Sequence, residues 1–215
     1  MSLYVDSADR AEVLDLLACG AFAGVTTNPI LLSRAGLGPG GIAAFVEDAL
    51  AAGAGRVFVQ AIGLDAHALA ASGRRAAAID GRVVVKVPCT SPGVTAARSL
   101  VDLGVPVLLT AVFHPAQALL AAAVGATWVA PYVGRISDAG RDGVAQVDLM
   151  QRALAGSDVR VLAASIRSLD DAAALAAAAV TDFALNPALC RKLLDDELSV
   201  AAALTFEEAS AASPP

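Results

Sequence analysis

Short apolar runs rich in valine, leucine and alanine alternate with alanine-rich stretches, without interruption, along this 215-residue chain. The runs that read as strands are Leu3–Asp6, Ala23–Thr26, Val57–Ala61, Val83–Val87, Val107–Thr110, Trp128–Pro131, Arg160–Ala163 and Asp182–Leu185. Helical patterns lie between them, at about 9–18, 41–53, 65–78, 91–103, 115–124, 141–155, 169–179 and 187–195. Ser7 is a candidate cap for the first, and Pro115 opens the fifth. Unbroken β-branched runs suit strands covered on both faces, as in parallel sheets. Eight strand–helix units in succession predict an α/β chain forming one (β/α)8 TIM barrel over 1–215, rather than a doubly wound sheet. A further helical stretch, about 197–210, exceeds what eight units require. It is expected to cover the barrel floor or reach a neighbouring subunit, with a disordered tail at 211–215.

Composition removes several classes of function. Mean hydropathy is +0.65, but the longest apolar run, Ala172–Val180, falls far short of the roughly 20 residues a membrane span needs. Residues 1–6 already read as a strand, so no signal peptide is expected. The cysteines Cys19, Cys89 and Cys190 are scattered, with no CxxC spacing, and suit reduced thiols in a cytoplasmic protein. A net charge of −6 without a basic cluster argues against nucleic acid or membrane as partner. A small anionic ligand would have to be held by a few placed arginines. Gly36-Leu37-Gly38-Pro39-Gly40-Gly41 spells GxGxxG, but it does not directly follow a strand and lacks the acidic residue expected about twenty positions on. It reads as a loop and a helix start.

The chemistry begins at Arg82-Val83-Val84-Val85-Lys86-Val87-Pro88, where a lysine sits inside a buried strand. Burying an unpaired ammonium costs several kcal/mol or drives off its proton. Lys86 and Lys192 are the only lysines among 15 basic residues, the rest being arginines. Arginine serves as a generic positive charge, but only lysine loses its proton readily and forms an imine. Two readings are open: a desolvated nucleophilic amine, or a stem packed in the wall with its head reaching water.

Alternate residues of a barrel strand point inward, and reaction chemistry sits at the C-terminal strand ends. With Lys86 and Val84 inward, the same test selects Tyr4 and Asp6, Gly24 and Thr26, Phe58 and Gln60, and Leu108 and Thr110. It further selects Trp128, Ala130 and Tyr132, then Val161, Ala163 and Ser165, with Asn28, Arg135 and Arg167 in the following loops. Seven of the eight strand ends thus offer a polar residue to one cavity, at a desolvation cost that a purely structural barrel need not bear.

These residue types suit an imine reaction at a ketone. Asp6 is the one carboxylate in the inward set and is suited to proton transfer, or else to pairing with a charged Lys86. Gln60, Thr110 and Tyr132 are suited to hold a water near the substrate hydroxyls, and Thr26 and Asn28 to bind substrate. Arg135, Arg167 and Ser165 are suited to grip a phosphate, the alternative for either arginine being a surface ion pair. His114 is either a helix-start residue or an extra substrate contact.

Leu3-Tyr4-Val5-Asp6, Gly24-Val25-Thr26-Thr27-Asn28-Pro29, Val83-Val84-Val85-Lys86-Val87-Pro88, Ala130-Pro131-Tyr132-Val133-Gly134-Arg135-Ile136 and Ala163-Ala164-Ser165-Ile166-Arg167 together resemble the small transaldolase family, which includes fructose-6-phosphate aldolases. The resemblance covers nearly the whole chain. It implies a class I enzyme with Lys86 as Schiff-base residue and no metal or organic cofactor. It implies site roles for Asp6, Asn28, Gln60, Thr110, Tyr132, Ser165 and Arg135, and a homo-oligomer, often of ten subunits. Gln60 and Tyr132 resemble the aldolase branch, where transaldolases carry Glu and Phe; Phe113-His114-Pro115 and Ile166 depart from the family pattern. An aldolase is therefore expected, with a transaldolase of the pentose phosphate pathway and a non-catalytic sugar-phosphate-binding barrel as alternatives.

Overall fold

The strands are β1 (Ser2–Asp6), β2 (Gly24–Thr26), β3 (Arg56–Gln60), β4 (Val83–Pro88), β5 (Val107–Val112), β6 (Trp128–Pro131), β7 (Arg160–Ala163) and β8 (Asp182–Leu185). In the computed structural model, which describes residues 1–212, each pairs in parallel with its sequence neighbour and β8 closes on β1. The helices are α1 (Arg10–Ala18), α2 (Pro29–Arg34), α3 (Ile42–Ala51), α4 (Ala66–Ala77), α5 (Ser91–Val101), α6 (Ala118–Val124), α7 (Val133–Asp138), α8 (Gly143–Ala153), α9 (Leu169–Ala177), α10 (Pro187–Leu194) and α11 (Glu197–Ala212). The expected (β/α)8 barrel with an extra C-terminal helix is therefore the fold.

Most of the ring helices begin where a side-chain oxygen accepts from a backbone amide: Asp9, Asp65, Thr90, Asp142, Ser168 and Asn186 cap α1, α4, α5, α8, α9 and α10. Asp9 rather than Ser7 caps α1, and the Ser7 hydroxyl instead accepts from the Asp9 amide at 3.1 Å. His114 caps a single 3-10 turn at Pro115–Gln117. Its Nδ1 accepts from Ala116 at 3.1 Å, which is the helix-start reading of this residue. The glycine-rich stretch forms a turn and a 3-10 turn at Pro39–Gly41 leading into α3.

Alternation along the strands divides the core in two. Val5, Val25, Val57, Val83, Val85, Val87 and Val129 pack outward against the helices. Tyr4, Phe58, Val84, Leu108, Trp128 and Leu162 fill the barrel interior. Tyr4, Phe58 and Trp128 meet edge to face, with centroids 5.0 and 5.4 Å apart, in the arrangement aromatic quadrupoles favour. Below them, fully buried Asp182 accepts from Trp128 Nε1 at 3.3 Å and from Arg160 at 2.5 Å.

Strand β7 departs from the expected parity. Val161 and Ala163 face the helices, while Leu162 and Ala164 face the interior. The cause is register: Trp128 pairs with Arg160, and parallel partners share a face. Two short helices, α2 and α7, also exceed the expected element list; each directly follows a strand that carries site residues.

The C-terminal helix runs to Ala212, so positions 211 and 212 of the expected tail are helical; 213–215 lie outside the described residues. Among the described residues, no helix is long and apolar enough to cross a membrane.

Candidate active site

A cavity of about 470 Å³ opens at the C-terminal ends of the strands. Leu108, Leu162, Ala130, Ala164 and Ala184 supply apolar wall. Asp6, Thr26, Asn28, Gln60, Lys86, Thr110, Tyr132, Arg135 and Ser165 also line it. Nine of the ten residues singled out in the sequence are therefore brought together.

Lys86 points inward from the middle of β4 and is only 6% exposed. Its Nζ donates to the Thr27 carbonyl at 2.6 Å. Burial lowers the pKa of this amine, and the nearby charge of Asp6 opposes the shift without cancelling it. The Thr27 contact uses one N–H and orients the nitrogen, and in its neutral form the amine keeps a lone pair free of that contact. The Thr27 acceptor is itself fixed, because both its amide (3.1 Å) and its hydroxyl (2.9 Å) donate to the Phe58 carbonyl.

Asp6 ends β1 and receives the Thr26 hydroxyl on Oδ1 at 2.6 Å. Asn28 stands just beyond β2, and its Oδ1 accepts from the amides of Ile30 and Leu31, both at 3.0 Å. That cap, with Pro29 at the first helical position, starts α2. It leaves the Asn28 NH2 as the group that can donate into the cavity.

On the opposite wall the hydroxyls of Thr110 and Tyr132 are hydrogen-bonded at 2.9 Å. Strand β5 makes this possible by slipping register between Leu109 and Val112, with Ala111 at φ 58°. A left-handed alanine is a strained residue, and the slip turns both Thr110 and Ala111 toward the cavity. Ser165 reaches the cavity by a similar route. Its φ of 57° turns the chain at the end of β7, so it lines the cavity although Val161 and Ala163 do not. The Phe113 ring packs edge-on against Tyr132, and the Arg135 guanidinium lies 5.0 Å from the Tyr132 ring centroid.

Arg167 is the exception. It does not line the cavity; both of its terminal nitrogens bond the two carboxylate oxygens of Asp138 on α7. The pairing holds the Asp138 carboxyl below its ordinary pKa and raises that of Arg167. Gly134 permits the crossing, since a Cβ there would lie 2.6 Å from Arg167 Nε. The structure adds an arginine the sequence reading missed: Arg34, in the last turn of α2, lines the cavity. The signal was present as Asn28-Pro29, a cap and first-turn pair that announces a helix too short to show periodicity. Among the described residues, no three His, Cys, Asp or Glu side chains are grouped to hold a metal ion.

A family model described as transaldolase/fructose-6-phosphate aldolase matches residues 3–213. The chain belongs to the transaldolase/fructose-6-phosphate aldolase family. A probable transaldolase of Thermus thermophilus is 39% identical over 177 residues, covering 78% of each chain. One of Hyphomonas neptunium is 33% identical over 208 residues, covering 96% of this chain and 95% of the relative. Among solved structures, a mandelate oxidase superposes with a TM-score of 0.60 at 18% identity. The match covers 89% of this chain and 66% of that one, and it shares the barrel alone. Family membership makes the protein an enzyme of the aldolase or transaldolase type, so the non-catalytic alternative falls away.

Proposed function

We propose that this family member is a class I aldolase that cleaves or forms fructose 6-phosphate, or a related ketose, through an imine on Lys86. The observation that carries the reading is the buried, desolvated Lys86 amine opening onto a polar cavity beside Asp6. The neutral nitrogen attacks the ketose C2 carbonyl. Asp6 moves the protons that turn the carbinolamine into an iminium as water leaves. A water held by Gln60, Thr110 and Tyr132 takes the proton of the C4 hydroxyl. The C3–C4 bond then breaks, its electrons pass to the iminium, and an aldehyde departs, leaving an enamine. Protonation of the enamine carbon and hydrolysis return dihydroxyacetone and the free amine. Asn28 donates to a substrate hydroxyl beside Thr26, and Arg135 with Ser165 binds the phosphate.

The Tyr132 hydroxyl favours release over transfer, because with Thr110 it supplies an acid beside the enamine. A second reading, transaldolase, is favoured by the names of the curated relatives. In that reading the enamine attacks an acceptor aldehyde instead of taking a proton. The experiment is incubation with fructose 6-phosphate alone, then with erythrose 4-phosphate added. Glyceraldehyde 3-phosphate and free dihydroxyacetone without acceptor, abolished in Lys86→Met, support the aldolase. Turnover only with acceptor makes the protein a transaldolase.

We assign the enzyme to the cytoplasm as a homo-oligomer. The support for the oligomer is α11, whose Leu198, Leu204 and Phe206 are 81, 62 and 71% exposed in the single chain. Most helical stability in proteins comes from packing an apolar face, so this helix gains most from a neighbouring subunit.

A further inference from the structure

We propose that Arg34 is a specificity residue that selects phosphorylated substrates, binding the phosphate from the wall opposite Arg135. The inference rests on the imine reading above and extends it to a residue outside the expected site. Arg34 and Arg135 both line the cavity, and neither has an ion-pair partner among the described residues. Arg34 sits on the helix after β2 and Arg135 on the helix after β6. In a closed ring of eight strands these positions face each other across the mouth. Arg167, the expected second arginine, is neutralised by Asp138 outside the cavity.

The charges lining the cavity support one phosphate as the ligand. Asp6, Arg34 and Arg135 sum to a single positive charge, and the iminium formed on Lys86 adds a second. A phosphate monoester carries roughly −1.5 to −2 near neutral pH, so the imine of a ketose monophosphate is close to neutral only with both arginines present. The alanines and leucines of the wall offer an anion no partner, so the two guanidinium groups are what can hold it. The chain as a whole is −6, so these two cations also set the local field that admits an anion. A cation in the last turn of α2 complements the helix dipole as well, but that role alone does not require the side chain to line the cavity.

The test compares aldol addition of dihydroxyacetone to glyceraldehyde 3-phosphate with addition to unphosphorylated glyceraldehyde. In Arg34→Gln the ratio of the two kcat/KM values falls about 10- to 100-fold, the scale of a lost charged hydrogen bond, and Arg34→Lys restores much of it. Equal losses with both aldehydes, or an unchanged ratio, overturn the proposal. Binding of sorbitol 6-phosphate, which has no carbonyl and forms no imine, separates this failure from failure of the reaction assignment. If borohydride traps no dihydroxyacetone adduct on the wild-type enzyme, the imine reading is lost. Weaker sorbitol 6-phosphate binding by Arg34→Gln still upholds the role of Arg34. Unchanged binding overturns it.

Discussion

The hydroxyl of Tyr132 stands 2.9 Å from that of Thr110, across the cavity from the strand end that holds Asp6. The ring carrying that hydroxyl is fixed by Phe113 and Arg135, contacts that a phenylalanine would keep. Tyr132→Phe is therefore expected to retain imine formation, read by borohydride trapping, while losing release of free dihydroxyacetone by about 10²-fold, the scale of one general acid. Unchanged release would remove Tyr132 from the protonation step.

The depressed pKa of Lys86 has a kinetic consequence. Nucleophilic attack needs the free amine, so kcat/KM should rise with pH through an inflection below the ordinary lysine value of about 10.4. A pH–rate profile with trapping at each pH checks it. An inflection at or above that value would show that the amine is not desolvated.

The same shift makes Lys86 a stability liability. The unfolded chain keeps the lysine proton up to about pH 10.4, whereas the folded chain gives it up at lower pH. Between those two values the unfolded state binds more protons, so stability rises with pH. Lys86→Met should melt at higher temperature than wild type near neutrality, with the gap narrowing toward pH 10. Parallel melting curves at all pH values would contradict this.

Arg167→Gln should change kcat/KM for fructose 6-phosphate by less than about threefold, because its guanidinium is already committed to an exposed carboxylate. A tenfold or greater rise in KM would return Arg167 to the phosphate site.

Gly134→Ala tests how α7 is seated. The added Cβ would meet the Ser165 carbonyl oxygen at 2.5 Å as well as Arg167 Nε at 2.6 Å. Overpacking of this kind costs about 1–3 kcal/mol, and the strain falls on a residue lining the cavity. Both the melting temperature and kcat/KM should drop. A neutral substitution would mean that α7 is loosely held.

Strands one to six were legible because each is an apolar run with a polar residue at or beside its C-terminal end, and that pattern fixes which parity faces inward. The seventh was not, because its facing follows from pairing Trp128 with Arg160, and register is a property of two strands rather than one. Ser165 was placed in the cavity for the wrong reason, since its left-handed backbone rather than alternation brings it there. Helices α2 and α7, six residues each, are too short for a helical period to emerge, which hid Arg34. The partner of Arg167 lies 29 residues away in sequence, a distance at which no spacing rule operates. The Asp182–Arg160–Trp128 cluster was hidden likewise, because it forms at the opposite end of the barrel from the chemistry.

That cluster and the aromatic chain above it seal the barrel like the base of a flask. Whatever enters past Arg34 and Arg135 must leave by the same neck. On the imine reading proposed for Lys86, the aldehyde formed by cleavage therefore leaves along the path that any incoming one must take. A fragment handed from one sugar to another in this protein would have to be exchanged in alternation, with first product out before second substrate in. The partition between hydrolysis and transfer then becomes a race between water and an aldehyde waiting its turn at the door.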